Sequence, residues 1–276
     1  PEIARAFLAG ESAIEQRLVR ARRKITAARI PFRVPPDELL AERLAGVLRV
    51  VYLVFTEGHQ ATRGEAPLRT DLSEEAVRLA RLLAQLMPDS AEALGLLALL
   101  LLTDARRSAR LDAAGELVAL EDQDRSRWDA ERIADGLAVL DRALRLGRPG
   151  PYQVQAAIAA LHARAPTWEA TDWPQIAALY GELERHDASP VVTVNRAVAV
   201  AFAESPQAGL AILDGVADAR LERYLPLHAA RAELLHRAGD AAAADAAYAR
   251  AIELSGNAAE RSALERRRRA RTSTRS

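Results

Sequence analysis

Arg17, Arg20, Arg22, Arg23 and Lys24 crowd one short stretch near the start of this 276-residue chain. Cations at that density can neutralise phosphates and reach base edges, where a guanidinium matches guanine bidentately. A second concentration of chemistry-bearing groups lies at Glu121, Asp122, Asp124, Arg125, Arg127 and Trp128. Paired carboxylates there could exchange protons as acid and base. The reading favoured by the mixture of signs is an ion-pair knot that pins a loop, completed by Asp104, Arg106, Arg107 and Arg110. The five histidines, His59, His162, His186, His228 and His236, form no His-Glu-x-x-His pair, and there is no cysteine to join them. His228 and His236 are eight apart and could share one side of a helix, as packing residues. The chain has no Gly-rich phosphate loop and no Gly-x-Ser-x-Gly elbow. No metal, no cofactor and no catalytic residue is therefore expected, and the chain does not read as an enzyme.

The elements that must position these residues are helical. Ala, Leu and Arg dominate, half the residues are hydrophobic, and only 4% are aromatic. All three are strong helix formers, and such a composition favours helix-on-helix packing. Residues 1–8 suggest a short helix that ends at Ala9-Gly10, and the basic helix follows from Glu11 to about Ala28. Ile14 and Leu18, then Ala21 and Ile25, are four apart and give it an apolar stripe. A short helix, a small turn and a basic helix is the layout that sets one helix across a DNA backbone and the next in the major groove. Ile30-Pro31-Phe32-Arg33-Val34-Pro35-Pro36 breaks the helix and forces extended backbone.

Beyond the prolines, residues 38–56 are apolar nearly all round, which predicts a deeply buried helix. Residues 57–68 read as a loop, Asp71 or Ser73 as the cap of a helix reaching Leu86, and Pro88-Asp89-Ser90 as the start of the helix carrying Leu94 to Leu102. That apolar run is too short to span a bilayer, which needs about 20 residues. Residues 110–120 resemble a small β-hairpin turning at Gly115. Asp172-Trp173-Pro174 reads as an N-cap and a helix start. In the last hundred residues, Ala232, Gly239, Ala244, Tyr248 and Ala251 match the spacing of a tetratricopeptide unit, with a period of about 34. Ala197, Gly209, Leu213 and Val216 sit about one period earlier, and Trp173, Ile176, Ala177 and Tyr180 match the front of another unit. The expected organisation is a helix-turn-helix remnant at 1–30, a Pro-rich linker at 31–36, a helical bundle with the hairpin at 37–150, and tetratricopeptide-like repeats with a basic tail at 151–276. The fold class is all-α.

Lys+Arg and Asp+Glu balance at 38 each, but unevenly along the chain. The basic helix crowds one end. Arg261, Arg266, Arg267, Arg268, Arg269, Arg271 and Arg275 crowd the other, so the middle is acidic. Such asymmetry suits an anionic partner at the ends. The plainer reading of the C-terminal run is a solvated, frayed tail. With no cysteine framework and no signal-peptide pattern, a soluble cytoplasmic protein is the default, with no membrane partner.

The residues also carry a resemblance. Ile3-Ala4, Leu8, Ala9-Gly10, Ile14 and then Arg17-Leu18-Val19-Arg20-Ala21-Arg22-Arg23-Lys24 resemble the end of region 4 of an extracytoplasmic-function sigma factor. The later runs 32–35, 51–58, 120–128 and 195–201, the last including Asn195 and Arg196, resemble the subgroup that carries a large C-terminal tetratricopeptide-like extension. The resemblance covers nearly the whole chain, but the promoter-melting region and the first helices of region 4 have no counterpart in it. It implies that Ser12, Glu15, Gln16, Arg17 and Arg20 face a −35 promoter element. Arg22, Arg23 and Lys24 would hold phosphates. Glu15 departs from the family's DNA-compatible residue. The implied partners are promoter DNA and core RNA polymerase. Asp122, Asp124, Arg125, Trp128, Asn195 and Arg196 are structural or partner-binding candidates, and a regulatory protein or peptide is the candidate occupant of the repeat surface. The rival expectation is a free-standing interaction scaffold that binds no DNA.

Overall fold

The computed structural model describes residues 1–29, 40–62, 66–216 and 218–273. The Pro-rich linker at 31–36 lies outside the described residues. Within them the chain is all-α: α1 (Glu2–Ala6), α2 (Glu11–Ala27), α3 (Leu40–His59), α4 (Thr70–Leu86), α5 (Ala91–Asp104), α6 (Ala130–Arg145), α7 (Pro151–Arg164), α8 (Trp173–His186), α9 (Pro190–Ala203), α10 (Pro206–Asp214), α11 (Leu225–Arg237), α12 (Ala241–Leu254) and α13 (Ala258–Ser273).

The central helix is α5. Almost every residue from Ala91 to Leu102 is buried, because α3 and α4 cover one side and α6 and α7 the other. Ser90 caps it by accepting from the Ala93 amide at 3.3 Å. Its Glu92 then reaches across to α7, accepting from the Tyr152 and Gln153 amides at 3.0 and 3.2 Å. A carboxylate thus serves the orphan donors of a second helix, where the positive end of the dipole favours it. The apolar clusters run across residue 150, since Ala156 and Ala160 of α7 pack with α5 and α6.

The structure departs from the sequence expectations at three places here. α3 is not buried all round: Val47 and Val50 are exposed while Leu48, Val51 and Phe55 are buried, so only one stripe meets α4 and α5. Neither Asp71 nor Ser73 caps α4, which starts at Thr70 without a side-chain cap. Ser73 is buried inside the helix, where it accepts from Arg107 at 3.2 Å. Residues 110–118 form a turn with one isolated antiparallel bridge, Leu111 to Leu117, and no strand forms among the described residues. Gly115 supplies the left-handed corner at φ 79°, and the Asp112 carboxylate accepts from the Ala114 and Glu116 amides at 2.9 Å each. That local cap satisfies the turn, but so short an isolated ladder lacks the third strand or packed face a sheet needs.

From α7 onward each helix packs on its neighbours in sequence. Asp172, Ser189 and Ser205 each cap a helix that has proline in its first turn. Small residues sit where helices cross. A side chain on Gly209 of α10 would meet the Ala197 carbonyl and the Ala201 methyl of α9, so only glycine permits that approach. Ala232, Ala244 and Ala251 are buried between α11 and α12, and Tyr248 fills the space beside them, donating its hydroxyl to Glu233 at 3.0 Å.

The array curls so that its last helix returns to its beginning. At the start of α13, Glu260 accepts from Gln60 at 2.8 Å and from Arg5 at 3.4 Å. Further along, Arg266 pairs with Glu116 and donates to the Leu117 carbonyl at 3.0 Å. Arg267 and Arg271 reach Glu121 at 3.0 and 3.3 Å, and Arg268 forks onto Asp245 at 2.6 and 2.7 Å. The C-terminal arginine run is therefore not a frayed tail. It is a helix whose Arg266, Arg267 and Arg271 meet acids more than a hundred residues away in sequence, which tie the end of the array to the 116–121 turn.

Candidate functional site

The first candidate site is α2. Apart from Ile14, which is buried, and Ala13, every residue of this helix is exposed. Ser12, Glu15, Gln16, Arg17, Arg20, Arg22, Arg23 and Lys24 all face solvent. Leu18 and Ile25, expected on the apolar stripe, are exposed too, at 43% and 40%. Arg17, Arg20, Arg22, Arg23 and Lys24 make no ion pair among the described residues. The contrast with α13 is sharp, since there the arginines are neutralised within the fold. α1 and the turn anchor this segment: Ala4 is buried, and Leu8, held at φ 48°, packs against the cluster of α9, α10 and α11.

The second candidate region is the 104–132 segment, where a charged knot forms on Asp104 and Arg107, expected only as completing members, and without Asp122, Asp124 or Arg125. Its centre is Asp104, 2% exposed, which accepts from Arg107 at 2.9 Å and pairs with Arg132. Arg107 also reaches Glu74 at 2.6 Å, and Arg132 reaches Asp129 at 3.5 Å. Asp122, Asp124 and Arg125 stand outside this knot. Asp124 caps the turn of residues 125–127 through the Ser126 amide and hydroxyl, at 3.0 and 2.7 Å, and these bonds lower its pKa. Arg125 lies over the Trp128 ring at 4.7 Å and donates to the carbonyls of His162 and Ala165 at 2.5 and 2.8 Å. It therefore clips the 120s segment to the end of α7. Trp128 is buried beneath it. In α9, Arg196 pairs with Glu184 of α8 at 2.7 Å, while Asn195 is exposed.

Asp122 lines an open cleft of about 500 Å³ with Glu121, Trp168, Glu169, Trp173, Phe202, Arg237 and Arg271. One wall is aromatic. Trp173 stacks on Phe202 with centroids 4.4 Å apart, Trp168 meets both edge-on, and Arg237 covers the other side of Phe202 at 4.3 Å. Arg237 and Arg271 also belong to an ion-pair network with Glu121 and Glu233. A catalytic grouping of Asp122, Asp124 and His59 does not form: Asp122 lines the cleft, Asp124 caps a turn, and His59 sits elsewhere, against Arg106 and Arg110.

Reasoning from sequence missed that last group. His59 Nε2 faces Arg110 Nη1 at 2.5 Å and Arg106 Nη2 at 3.5 Å. Both donors are cations, so Nε2 accepts and the imidazole is neutral with its proton on Nδ1. Burial and the neighbouring arginines hold its pKa well below the ordinary value. His162 is in a similar state. Burial, then Arg106 and Arg125, push it down to about 4, and its ring packs against Trp168 and Trp173. These histidines are separated by about a hundred residues, and nothing in their spacing announced a shared environment.

His162 sets a pH dependence. In the unfolded chain it takes up a proton below about pH 6.5; in the fold it stays neutral down to about 4. The unfolded state thus binds more protons across that window, so its contribution to stability is complete above pH 6.5 and shrinks as pH falls. The expected loss by pH 4.5 is up to ~3 kcal/mol. Urea midpoints at pH 7 and 4.5 should converge in His162→Gln relative to the native chain. An unchanged difference would show that His162 does not carry the effect.

Among the described residues no helix is long and apolar enough to cross a membrane. No solved structure matches the chain. An uncharacterized protein of Rhizobium meliloti (strain 1021) is 51% identical over 259 residues, 94% of this chain, and the chain spans 61% of that relative's length. Residues 43–144, from α3 to α6 and including both the Asp104 knot and the Arg106–Arg110 group, match the family model described as a family of unknown function, DUF6596.

Proposed function

We propose that this chain is the C-terminal portion of an alternative sigma factor, acting in the cytoplasm. In this reading α1, the Ala9-Gly10 turn and α2 are the end of a helix-turn-helix that reads a −35 element. The helices from α7 onward are degenerate tetratricopeptide-like repeats that regulate sigma activity. The observation that carries the reading is α2, a basic helix exposed along nearly its whole length, whose cations Arg17, Arg20, Arg22, Arg23 and Lys24 have no counter-charge among the described residues. A helix destined only for the surface of a scaffold would gain from the i,i+4 acid–base pairs that this face lacks. Regulation by contact is supported by Leu8, which packs into the α9–α11 cluster, and by Arg5, which reaches Glu260. In this reading the two contacts let the extension act on the DNA-reading segment without a separate anti-sigma protein. Core RNA polymerase and promoter DNA are the partners this function requires.

The test uses the full-length protein with core polymerase on its promoter. Arg17→Ala or Arg20→Ala should weaken promoter binding by about 1–3 kcal/mol and relax sequence preference at one position. Arg23→Ala or Lys24→Ala should weaken all sequences alike and reduce the salt slope by about 1. If Arg17, Arg20, Arg23 and Lys24 can all be replaced by alanine with promoter binding and salt slope intact, α2 is not the reading helix. The scaffold reading separates in a polymerase pull-down comparing this chain with one that starts at Val34. Capture of neither favours the scaffold.

A further inference from the structure

Arg106 and Arg110 are an anomaly of charge. Asp104 has Arg107 and Arg132 as its partners, and Glu121 has Arg237, Arg267 and Arg271. Arg106 and Arg110 have no such partner among the described residues. Among the described residues no carboxylate pairs with either, and both guanidiniums converge on the same neutral nitrogen, His59 Nε2. At Arg110 the other charge felt is Arg106; at Arg106 the Tyr180 phenol raises the pKa while Arg125 repels the guanidinium. Desolvation and this repulsion pull Arg110 down to about 9 and Arg106 to about 10. Arg110 Nε is enclosed without a hydrogen-bond partner, and so is Nδ1 of the nearby His162.

Two like charges held together out of bulk water without a counter-ion oppose folding, because each loses hydration and repels the other. The fold nevertheless brings them to one atom. They come from the short segment after α5, which the Asp104–Arg107 pair on one side and the Leu111–Leu117 bridge on the other hold in place. Arg106, Arg110 and His59 all remain partly accessible to solvent, so a small ion can reach them. Two planar forks with unspent donors fit the oxygens of one phosphate or carboxylate group, and guanidinium is the side chain suited to that geometry.

We propose that Arg106 and Arg110, with His59 as the neutral spacer between them, form a binding site for a small oxyanion, the phosphate or carboxylate group of a regulatory ligand. The site lies in the segment between α5 and α6 and not on α2, so it stands or falls independently of DNA reading. Binding there joins α3, which carries His59, to the segment carrying Arg106 and Arg110. The ligand therefore stabilises the half of the extension that α13 also grips.

The test is thermal unfolding of the native chain in inorganic phosphate, in acetate and in chloride at matched ionic strength. The expected result is a saturable rise in Tm in phosphate or acetate beyond that in chloride, abolished in Arg106→Met/Arg110→Met. Phosphate acting alone would assign a phosphorylated ligand, and acetate acting alone a carboxylate. Should the double variant not fold, nitrogen-15 NMR of the arginine Nε–H groups in the native chain takes its place, with the Arg110 signal expected to titrate with the same midpoint. A response equal to that in chloride overturns the proposal. So does a saturable response that survives the double variant or leaves the Arg110 signal unmoved.

Discussion

Asp104→Ala should destabilise the protein by about 3–5 kcal/mol, the largest loss expected from any single charged residue here. Asp104 is 2% exposed and accepts from both forks of Arg107 while pairing with Arg132. Removing it leaves two guanidiniums facing a space that water fills poorly. It also removes the tie between the end of α5 and the start of α6. Asp104→Asn keeps the shape and some hydrogen bonding but not the charge, and should fall between the native chain and alanine. Chemical denaturation of the three proteins checks this order. Equal midpoints for alanine and the native chain would mean that Glu74 and Asp129, which already touch Arg107 and Arg132, suffice to hold both arginines.

Trp173→Ala should cost a similar amount, about 3–5 kcal/mol, by a different mechanism: lost apolar transfer and the cavity left behind. Trp173 is 9% exposed and touches Trp168, Phe202 and His162 at ring separations of 4.7, 4.4 and 5.3 Å. It joins the first turn of α8 to the last turn of α9, and through Phe202 it supports Arg237 and the network around Glu121. The alanine variant should therefore lower Tm, by roughly 2–4 °C per kcal/mol for a chain of this size, and weaken the near-ultraviolet dichroism of the remaining tryptophans. Trp173→Phe, which keeps a stacking ring, should retain most of both. If alanine lowered Tm no more than phenylalanine does, the ring would be dispensable to the wall of the cleft.

These two expectations show what could be read from residues in order and what could not. Helix content followed from Ala, Leu and Arg, and the start of α8 was legible at Asp172-Trp173-Pro174. Such signals are local, because a cap needs only the next three residues. The small residues at Ala197, Gly209, Ala232, Ala244 and Ala251 were likewise visible, since their spacing repeats with the helix pairs. The exposure of Leu18 and Ile25 on α2 was not legible, because their four-residue spacing with Ile14 and Ala21 reads as a buried stripe.

Charge pairing was not legible, because it is decided between residues far apart in sequence. The acid-rich run at 121–129 suggested a knot among its own members. The fold instead gave Glu121 to arginines of α11 and α13, used Asp124 as a cap, and centred the knot on Asp104, which the sequence offers only as a completing member. The C-terminal arginines looked like a tail because their acids, Glu116, Glu121 and Asp245, lie elsewhere. The histidines were set aside for lack of metal-ligand spacing, and no pattern in one dimension pairs His59 with Arg110. Sequence by itself determined which segments are helices, where they start and which faces are small. Only the tertiary structure decided which charges are neutralised and which are left over, because that depends on desolvation and on distances of a few ångströms across the curl of the array. Among the described residues the cations left over on α2 and at Arg106 and Arg110 are a product of that tertiary arrangement.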